Sequence, residues 1–419
     1  ARATGDESYA DVARKTLAFL EAELGHPEGG FYSSLDARSP PPDDPDGAHV
    51  EGAFYAWTPE QVEAAVDDDR AATLFCDRYG VDGDGDVEAG SVLAQSRSVA
   101  DLAEERDESE ADVRAALREA MGDVAAARAD RPRPARDEKV LAGWNGLAVS
   151  AFAEAGLALE PEYADRAVAA LDFVREHLWD ADERRLARRY EGGDVGVDGY
   201  LEDYAFLARG ALDCYQATGD VADLELALEL ARALRERFFD ADAGTLYFTP
   251  TGGDRLVARP QQLGDQSTPS PVGVACETLL ALDHVAPGEG FDEVVGRVLA
   301  THADRVRDEP FQHPTLVATA DARDVGPVEF TVSAEALPAA WRETLGALAV
   351  PDRLLSRRPP TDAGLADWLD RLGLEDAPPL WADRDAADGQ PTLYVCRRAC
   401  SPPLTDVGEA VEWVDRLAP

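Results

Sequence analysis

Apolar residues recur along the chain at positions i, i+3, i+4 and i+7, the spacing of amphipathic helices. One such helix, followed by an Asp-rich turn and a short strand-like piece, occupies residues 166–186 and returns in residues 226–246 at an offset of 60. A third copy, at an offset of 214, relates residues 3–30 to residues 217–244. Helical hairpins repeated in this way predict a bundle, a solenoid or a closed α/α toroid.

Short turns join the helices within each predicted hairpin, and long connections join one hairpin to the next. The predicted hairpins are 144–158 with 162–177, 201–218 with 221–238, and 270–285 with 291–307, and the long connections are 25–58, 178–200 and 239–269. Because antiparallel hairpins place such connections at one end, we expect the N-termini of the helices at 144, 201 and 270 to meet there. Loops held by a rigid scaffold often carry function, so this end is the predicted site.

The N-terminal copy of the repeat lacks a preceding helix. In the second copy, the apolar helix 201–216 precedes Ala217-Thr218-Gly219-Asp220, whereas the equivalent helix of the first copy would lie before residue 1. The chain also has no initiator Met. We therefore expect a toroid truncated at its N-terminus.

Two stretches depart from the repeat. Between the first hairpin and residue 137 lies an insertion, with a helix start at Thr58-Pro59-Glu60, a helix over 109–129 and a strand-like alternation over 51–57. After about residue 310, short strands alternate with helices and predict a small C-terminal α/β appendage. We therefore predict a helical domain over residues 1–310 and an α/β region over residues 311–419. The predicted strands of the appendage are 328–332, 354–356 and 393–396, and its helices lie near 337–347, 362–371 and 406–417.

Charge and composition limit the classes of partner. The formal net charge is -43, from 83 acidic and 40 basic residues, with 45% hydrophobic residues. Such a charge disfavours binding to nucleic acid or to an anionic membrane. With only two Lys, it is typical of an acidic, halophilic protein whose self-repulsion is screened by salt. No signal peptide or long apolar run is present, so we expect a cytoplasmic location.

Cysteine and histidine usage bears on cofactors. Five Cys do not form a disulfide framework, and Cys396 with Cys400 is interpreted either as inert thiols or as a local disulfide or redox pair. The six His are scattered without metal-ligand spacing, so no metal site is predicted. Phosphate-binding and dinucleotide-binding glycine patterns are absent from the sequence, and no cofactor is predicted.

The stretch Asp137–Gly146 stands out by composition. The chain contains a single Asn, Asn145, and only two Lys, of which Lys139 lies six residues before it. Asn145 could be a helix cap with no further role. Alternatively, these residues form a site whose chemistry Arg and Asp cannot supply.

Acidic and aromatic residues cluster at the predicted loop end. Paired carboxylates can act as general acid and base on a glycosidic bond, and aromatic rings can stack on sugars. Asp137 and Asp203 are the predicted catalytic residues. The predicted substrate-binding residues are Asp36, Glu51, Trp57, Lys139, Trp144, Asn145, Tyr204, Asp265 and Ser270.

Several motifs resemble those of the YyaL-type, spermatogenesis-associated thioredoxin-domain-containing proteins. They are Gly29-Gly-Phe-Tyr-Ser-Ser-Leu-Asp36, Glu51-Gly-Ala-Phe-Tyr-Ala-Trp57, Trp144-Asn-Gly-Leu147, Glu202-Asp-Tyr204, Pro269-Ser270 and Tyr394-Val-Cys396 with Cys400-Ser-Pro402. The resemblance implies a mainly α fold, an (α/α)6 toroid of the six-hairpin glycosidase kind. It also implies that a thioredoxin-like domain precedes this part in family members.

Three functions are compatible with these patterns. The first is a glycoside hydrolase-like enzyme that uses paired carboxylates on a small carbohydrate ligand. The second is a non-catalytic binding or regulatory scaffold attached to a thioredoxin-like redox domain. The third is a sugar epimerase-like isomerase, which would require paired His bases that the sequence does not reveal. The oligomeric state cannot be inferred from the sequence.

Overall fold

The computed structural model describes residues 1–252 and 258–417, so part of the predicted connection 239–269 lies outside the described residues. The α-helices are α1 (Glu7–Phe19), α2 (Pro59–Ala65), α3 (Asp69–Tyr79), α4 (Val99–Arg106), α5 (Glu110–Ala129), α6 (Ala142–Ala158), α7 (Glu162–His177), α8 (Leu201–Thr218), α9 (Val221–Phe238), α10 (Pro271–Asp283), α11 (Phe291–Asp308), α12 (Pro314–Val325), α13 (Ala339–Ala347), α14 (Asp362–Leu372) and α15 (Val407–Leu417). The strands are β1 (Ser34–Leu35), β2 (Arg38–Ser39), β3 (Val50–Glu51), β4 (Arg136–Asp137), β5 (Val140–Leu141), β6 (Trp179–Asp180), β7 (Arg185–Glu191), β8 (Asp194–Asp198), β9 (Phe239–Asp240), β10 (Thr245–Leu246), β11 (Val328–Ser333), β12 (Arg353–Arg358) and β13 (Thr392–Cys396).

The chain divides into two compact units. The larger unit comprises Ala1–Ser33 and Glu138–Pro419, and the smaller unit comprises Ser34–Asp137. The predicted division at residue 310 is a different one and stays a prediction.

Helical hairpins form the larger unit. Each of α6, α8 and α10 pairs with the helix that follows it, and these three helices pack side by side with α12. Gly143 lies against Asp203, and Ser150 donates a hydrogen bond to Asp213, so α6 and α8 run parallel with their N-termini at one end. This alternation of inner and outer helices confirms the predicted mainly α architecture of paired helices.

Glycines set the distance between α6 and α8. A Cβ atom at Gly146 would lie 2.5 Å from the backbone nitrogen of Leu207, and one at Gly210 would lie 2.7 Å from the carbonyl oxygen of Gly146. Only glycine allows two helix backbones to approach this closely. The inner-helix contact is therefore made by backbone atoms at these positions.

The sequence repeat corresponds to repeated local structure. Asp6 and Asp220 occupy equivalent N-cap positions, and each carboxylate accepts a hydrogen bond of 2.9 Å from the backbone N–H two residues later. Asp180 and Asp240 close the turns after α7 and α9 by accepting a backbone N–H three residues later. The predicted copies therefore share their caps and turns as well as their apolar pattern.

Helix α12 was not predicted from the sequence. It packs against α10 and α11, and its Thr315 touches the position where Gly273 would carry a Cβ atom. Many of its side chains are exposed, so its amphipathic pattern is weak. Packing against α10 and α11, rather than the local sequence pattern, therefore stabilises this helix.

The C-terminal α/β elements form around a three-stranded sheet in the order β12-β11-β13, with β11 parallel to β12 and antiparallel to β13. The hydroxyl of Tyr215 on α8 bonds the backbone of Arg357 on β12, accepting at 3.0 Å and donating at 2.7 Å. Gln216 accepts a hydrogen bond of 3.0 Å from the backbone of Leu355. The sheet is thus fixed to the C-terminal half of an inner helix.

The smaller unit has its own apolar core, formed largely by α2, α3, α4 and α5. Arg131 lies over the ring of Trp57 at 3.7 Å and donates to the carbonyl oxygens of Ala53, Phe54 and Ala56. The predicted strand over 51–57 is wrong for its middle, because residues 52–55 form a turn. Ala53 and Phe54 are buried in this turn without a strand ladder, whereas Tyr55 is 40% exposed.

Candidate functional site

Asp203 ties together the N-termini of α6 and α8. Its carboxylate accepts hydrogen bonds from the backbone of Gly143 at 3.0 Å and of Tyr200 at 2.9 Å. It is 1% exposed, and Arg188 donates to it at 2.8 Å. A single carboxylate therefore accepts hydrogen bonds from N–H groups at two helix N-termini that have no partner within their own helices. Its negative charge also interacts favourably with the positive ends of both helix dipoles.

Arg188 connects this carboxylate to the partly accessible Glu202. The same guanidinium nitrogen, Nη1, lies 2.6 Å from Glu202 and 2.8 Å from Asp203. Its carbon Cζ lies 5.2 Å from the centre of the Tyr200 ring, which stacks on Phe248 at 4.9 Å. One cation thus holds two adjacent carboxylates beside an aromatic pair.

Burial raises the pKa of Asp203 to about 6, although Arg188 and the Tyr200 N–H act in the opposite direction. Asp203 is therefore mostly ionised at pH 7. A carboxyl with a pKa near 6 is typical of general acids, but this one is enclosed by its own hydrogen bonds. In the described conformation its carboxylate fixes the N-termini of α6 and α8, and its catalytic role stays a prediction.

The single Asn of the chain joins α6 to the N-terminal segment. The side-chain oxygen of Asn145 accepts from the backbone N–H of Phe31 at 2.8 Å, and its amide donates to the carbonyl oxygens of Phe31 at 3.0 Å and Leu141 at 2.9 Å. It is 1% exposed. The site needs an acceptor and a donor on one short side chain, and Asp at neutral pH cannot donate.

We expect Asn145→Asp to lower the free energy of unfolding by about 2 kcal/mol, because a carboxylate would face two carbonyl oxygens and leave them unpaired. Urea denaturation in molar KCl measures this. The matched control is Gln61→Glu, at a partly buried position of the smaller unit. Equal stability of Asn145→Asp and the wild type would contradict the assigned role of the amide.

Trp144 is the accessible aromatic residue of this end. Its side chain is 42% exposed, whereas its neighbours Gly143 and Asn145 are buried against the protein. Lys139 is half-buried three residues before α6. Lys139 and Trp144, both predicted to bind substrate, therefore lie near the N-terminus of α6, the helix end that Asp203 caps.

Three further predicted residues have structural contacts. Tyr204 is fully buried, and its hydroxyl accepts from the backbone of Leu186 at 2.8 Å. Ser270 caps α10, and Asp265 accepts from the Ser270 backbone at 3.0 Å and bonds the hydroxyl of Thr315. Three of the predicted sugar-binding residues are buried and offer no accessible surface: Asn145, Tyr204 and Ser270. Their role in binding sugar stays a prediction.

The remaining predicted residues belong to the smaller unit. Asp36 is exposed and accepts from the backbone of Arg38 at 2.9 Å, and Glu51 is exposed on β3. Trp57 is 2% exposed, so its ring packs in the core and presents no stacking face. Asp137 is half-buried on β4. Its predicted pairing with Asp203 stays a prediction.

Sequence reasoning missed a charged network inside the larger unit. Arg209 bonds Asp213 at 2.8 Å and Glu277 at 2.7 Å, and Ser150 donates to Asp213 at 2.5 Å. Burial raises the pKa of Asp213, with Arg209 acting against it. The available signal was a charged i, i+4 pair within the otherwise apolar α8.

No group of three or more His, Cys, Asp or Glu side chains within residues 1–252 and 258–417 is arranged to hold a metal ion. Among the helices in the described part of the chain, none is long and apolar enough to span a membrane.

No model of a known protein family matches the chain. Spermatogenesis-associated protein 20 of mouse is 30% identical to it over 436 residues, which cover 96% of this chain and 54% of the mouse protein. The chain is therefore similar to spermatogenesis-associated protein 20 along nearly all of its own length. This confirms the resemblance recognised in the motifs. The chain spans about half the length of spermatogenesis-associated protein 20, and a thioredoxin-like domain stays a prediction.

Solved structures of low identity are also similar. An inactive variant of α-1,6-mannanase from Salegentibacter, in complex with α-1,6-mannotriose, is 14% identical, covers 70% of each chain and has a TM-score of 0.32. A D-mannose isomerase is 13% identical, covers 72% of each chain and has a TM-score of 0.33. At these scores, neither carries a conclusion about the activity of this chain.

Proposed function

We propose that the larger unit binds a small carbohydrate at the N-terminal end of α6 and α8. The observation that carries the proposal is the exposed indole of Trp144, next to the helix N-terminus that Asp203 caps. Aromatic rings offer apolar faces to sugar rings, and the carboxylate of Glu202 can accept hydrogen bonds from hydroxyl groups. Arg188 keeps Glu202 and Asp203 in one place, so the polar part of the site is preorganised.

Hydrolysis is the proposed reaction, with Asp203 as the predicted carboxylate of the larger unit. The pairing of Asp203 with Asp137, which belongs to the smaller unit, stays a prediction from the sequence. Because Asp203 is enclosed, we propose that it acts through Arg188 and Glu202 rather than by touching the sugar. An epimerase would need paired His bases. Nε2 of His302 lies 2.7 Å from the hydroxyl of Thr245, and Nδ1 of His313 lies 2.9 Å from the carbonyl oxygen of Leu263. The isomerase stays a prediction from the sequence.

Replacing Trp144 by Ala is expected to weaken carbohydrate binding about fivefold, since an aromatic face contributes on the order of 1 kcal/mol to such contacts. Isothermal titration in molar KCl, with a panel of neutral monosaccharides and disaccharides, measures the dissociation constant. Trp144→Phe should retain part of the affinity because it keeps a ring.

The matched control is Phe311→Ala, because Phe311 is 98% exposed and lies outside the proposed site. Two results would contradict the proposal: no sugar of the panel binds, or Trp144→Ala binds as tightly as Phe311→Ala. For hydrolysis, sugars that bind are incubated with the wild type and with Asp137→Asn. Turnover that is equal in both would exclude Asp137 from the reaction while leaving the binding proposal intact.

A further inference from the structure

A disulfide bond joins Cys396 to Cys400 at the end of strand β13. Cys400 is exposed, whereas Cys396 is 6% exposed. An external thiol can therefore reach one sulfur of the bond and not readily the other. This asymmetry determines which sulfur is attacked in an exchange reaction.

One guanidinium lies against both sulfur atoms. Nη2 of Arg384 is 3.0 Å from Sγ of Cys400 and 3.7 Å from Sγ of Cys396. Its carbon Cζ lies 5.4 Å from the centre of the Tyr394 ring, and the Tyr394 hydroxyl donates to the carbonyl oxygen of Asp385 at 2.7 Å. The carboxylate of Asp385 pairs with Arg358 at 3.2 Å, so it is engaged with a different cation.

The hairpin that carries the bond is held by other contacts. The backbone of Ser401 donates to the carbonyl oxygen of Val395 at 2.9 Å, and the Ser401 hydroxyl accepts from the Val395 N–H at 3.0 Å. Leu393 and Leu404 exchange a pair of backbone hydrogen bonds at 2.8 and 3.0 Å. These contacts do not involve the disulfide, so we expect the strand to keep its register when the bond is reduced.

We propose that Cys396 and Cys400 form a thiol–disulfide exchange centre, with Arg384 stabilising the thiolate that leaves. This activity is independent of carbohydrate binding. The reductant is a dithiol, either a small molecule or a protein. A positive guanidinium beside a sulfur favours the thiolate, which is the leaving group and the nucleophile of such exchange.

The reaction has two balanced steps. A thiolate of the dithiol attacks Sγ of Cys400, the Cys396–Cys400 bond breaks, and its electron pair leaves on Sγ of Cys396, beside Arg384. The second thiolate of the dithiol then attacks the other sulfur of the same dithiol, which is bonded to Sγ of Cys400. That bond breaks, and its electron pair leaves on Sγ of Cys400. The dithiol is oxidised to a disulfide, and its two electrons and two protons end on Cys396 and Cys400 as two thiols.

The test follows reduction of the whole chain by dithiothreitol at pH 7 and fixed ionic strength. Samples are quenched with an alkylating reagent, and mass spectrometry quantifies the labelled Cys396 and Cys400 over time. Cys214 and Cys276 serve as internal references, since both are buried and burial raises the pKa of the Cys276 thiol to about 12.

We expect reduction of the native chain without denaturant, and Arg384→Ala to slow it on the order of tenfold, through loss of the cation beside the leaving group. Arg384→Lys should recover part of the rate. Arg398→Ala, an exposed Arg of the same hairpin, is the matched control. Circular dichroism verifies that each variant is folded. A bond that resists dithiothreitol until the chain unfolds, or equal rates in Arg384→Ala and Arg398→Ala, would overturn the proposal.

Discussion

Asp203→Ala is expected to lower the free energy of unfolding by about 3–5 kcal/mol, the largest effect among the changes considered. The substitution removes the acceptor for the backbone N–H groups of Gly143 and Tyr200 and one of the two carboxylates of Arg188. Breaking a buried, hydrogen-bonded charge pair from one side costs about this much, because the partner groups stay buried. Urea denaturation in molar KCl, with the slope m compared between variants, measures the change.

Glu202→Gln is the matched control, since Glu202 is the neighbouring carboxylate on the same guanidinium and its side chain is 13% exposed. We expect a loss below about 1 kcal/mol, because the amide oxygen can still accept from Arg188. A loss for Asp203→Ala no larger than that for Glu202→Gln would mean that Asp203 does not hold the two helix N-termini together.

Gly146→Ala is expected to lower the free energy of unfolding by about 3 kcal/mol, the upper end of the usual range for overpacking. The added Cβ atom would lie 2.5 Å from the backbone nitrogen of Leu207 and 2.6 Å from the carbonyl oxygen of Phe206. Backbone atoms of a helix cannot rotate away as a side chain can. The substitution therefore forces α6 and α8 apart along a contact that many buried side chains share.

Gly122→Ala is the control for the difference in helix propensity between Gly and Ala. Gly122 lies inside α5, and a Cβ atom there would meet nothing within 4 Å. We expect Gly122→Ala to stabilise the protein by about 0.5–1 kcal/mol, because Ala loses less conformational entropy in a helix than Gly. Both variants are compared by thermal and urea unfolding. If Gly146→Ala were also stabilising, the close approach of α6 and α8 would be wrong.

Helix bounds were highly predictable because the local signals were strong and agreed. The predicted helices 162–177, 201–218 and 221–238 have the bounds found in the structure. The N-cap Asp220 of α9, the glycine at the end of α8 and the offset of 60 residues all indicated the same positions. In contrast, α12 lacks a clear apolar face, and the turn over 52–55 resembles a strand in sequence because buried Ala53 and Phe54 lie beside exposed Tyr55.

The positions of the candidate residues in the fold were predictable from the sequence, but their hydrogen-bond partners were not. The sequence indicated that Trp144, Asn145 and Asp203 lie at the N-termini of inner helices, and the structure places them there. It could not indicate that Asn145 bonds Phe31, or that Asp203 is shared with Gly143. Those partners are separated by 114 and 60 residues, and only the folded chain brings their atoms within hydrogen-bonding distance.

The sequence by itself determined the repeating hairpins, the parallel entry of the inner helices and the unusual character of the stretch Asp137–Gly146, since periodicity, caps and composition are local properties of the chain. The tertiary structure decided which of the unusual residues are accessible. Trp144 is exposed, whereas Asn145, one residue later, is buried and bonds Phe31, because successive residues of a helix point about 100° apart. It also decided that Cys396 and Cys400 are bonded beside Arg384, a contact set by a loop and a strand that meet only in the folded sheet.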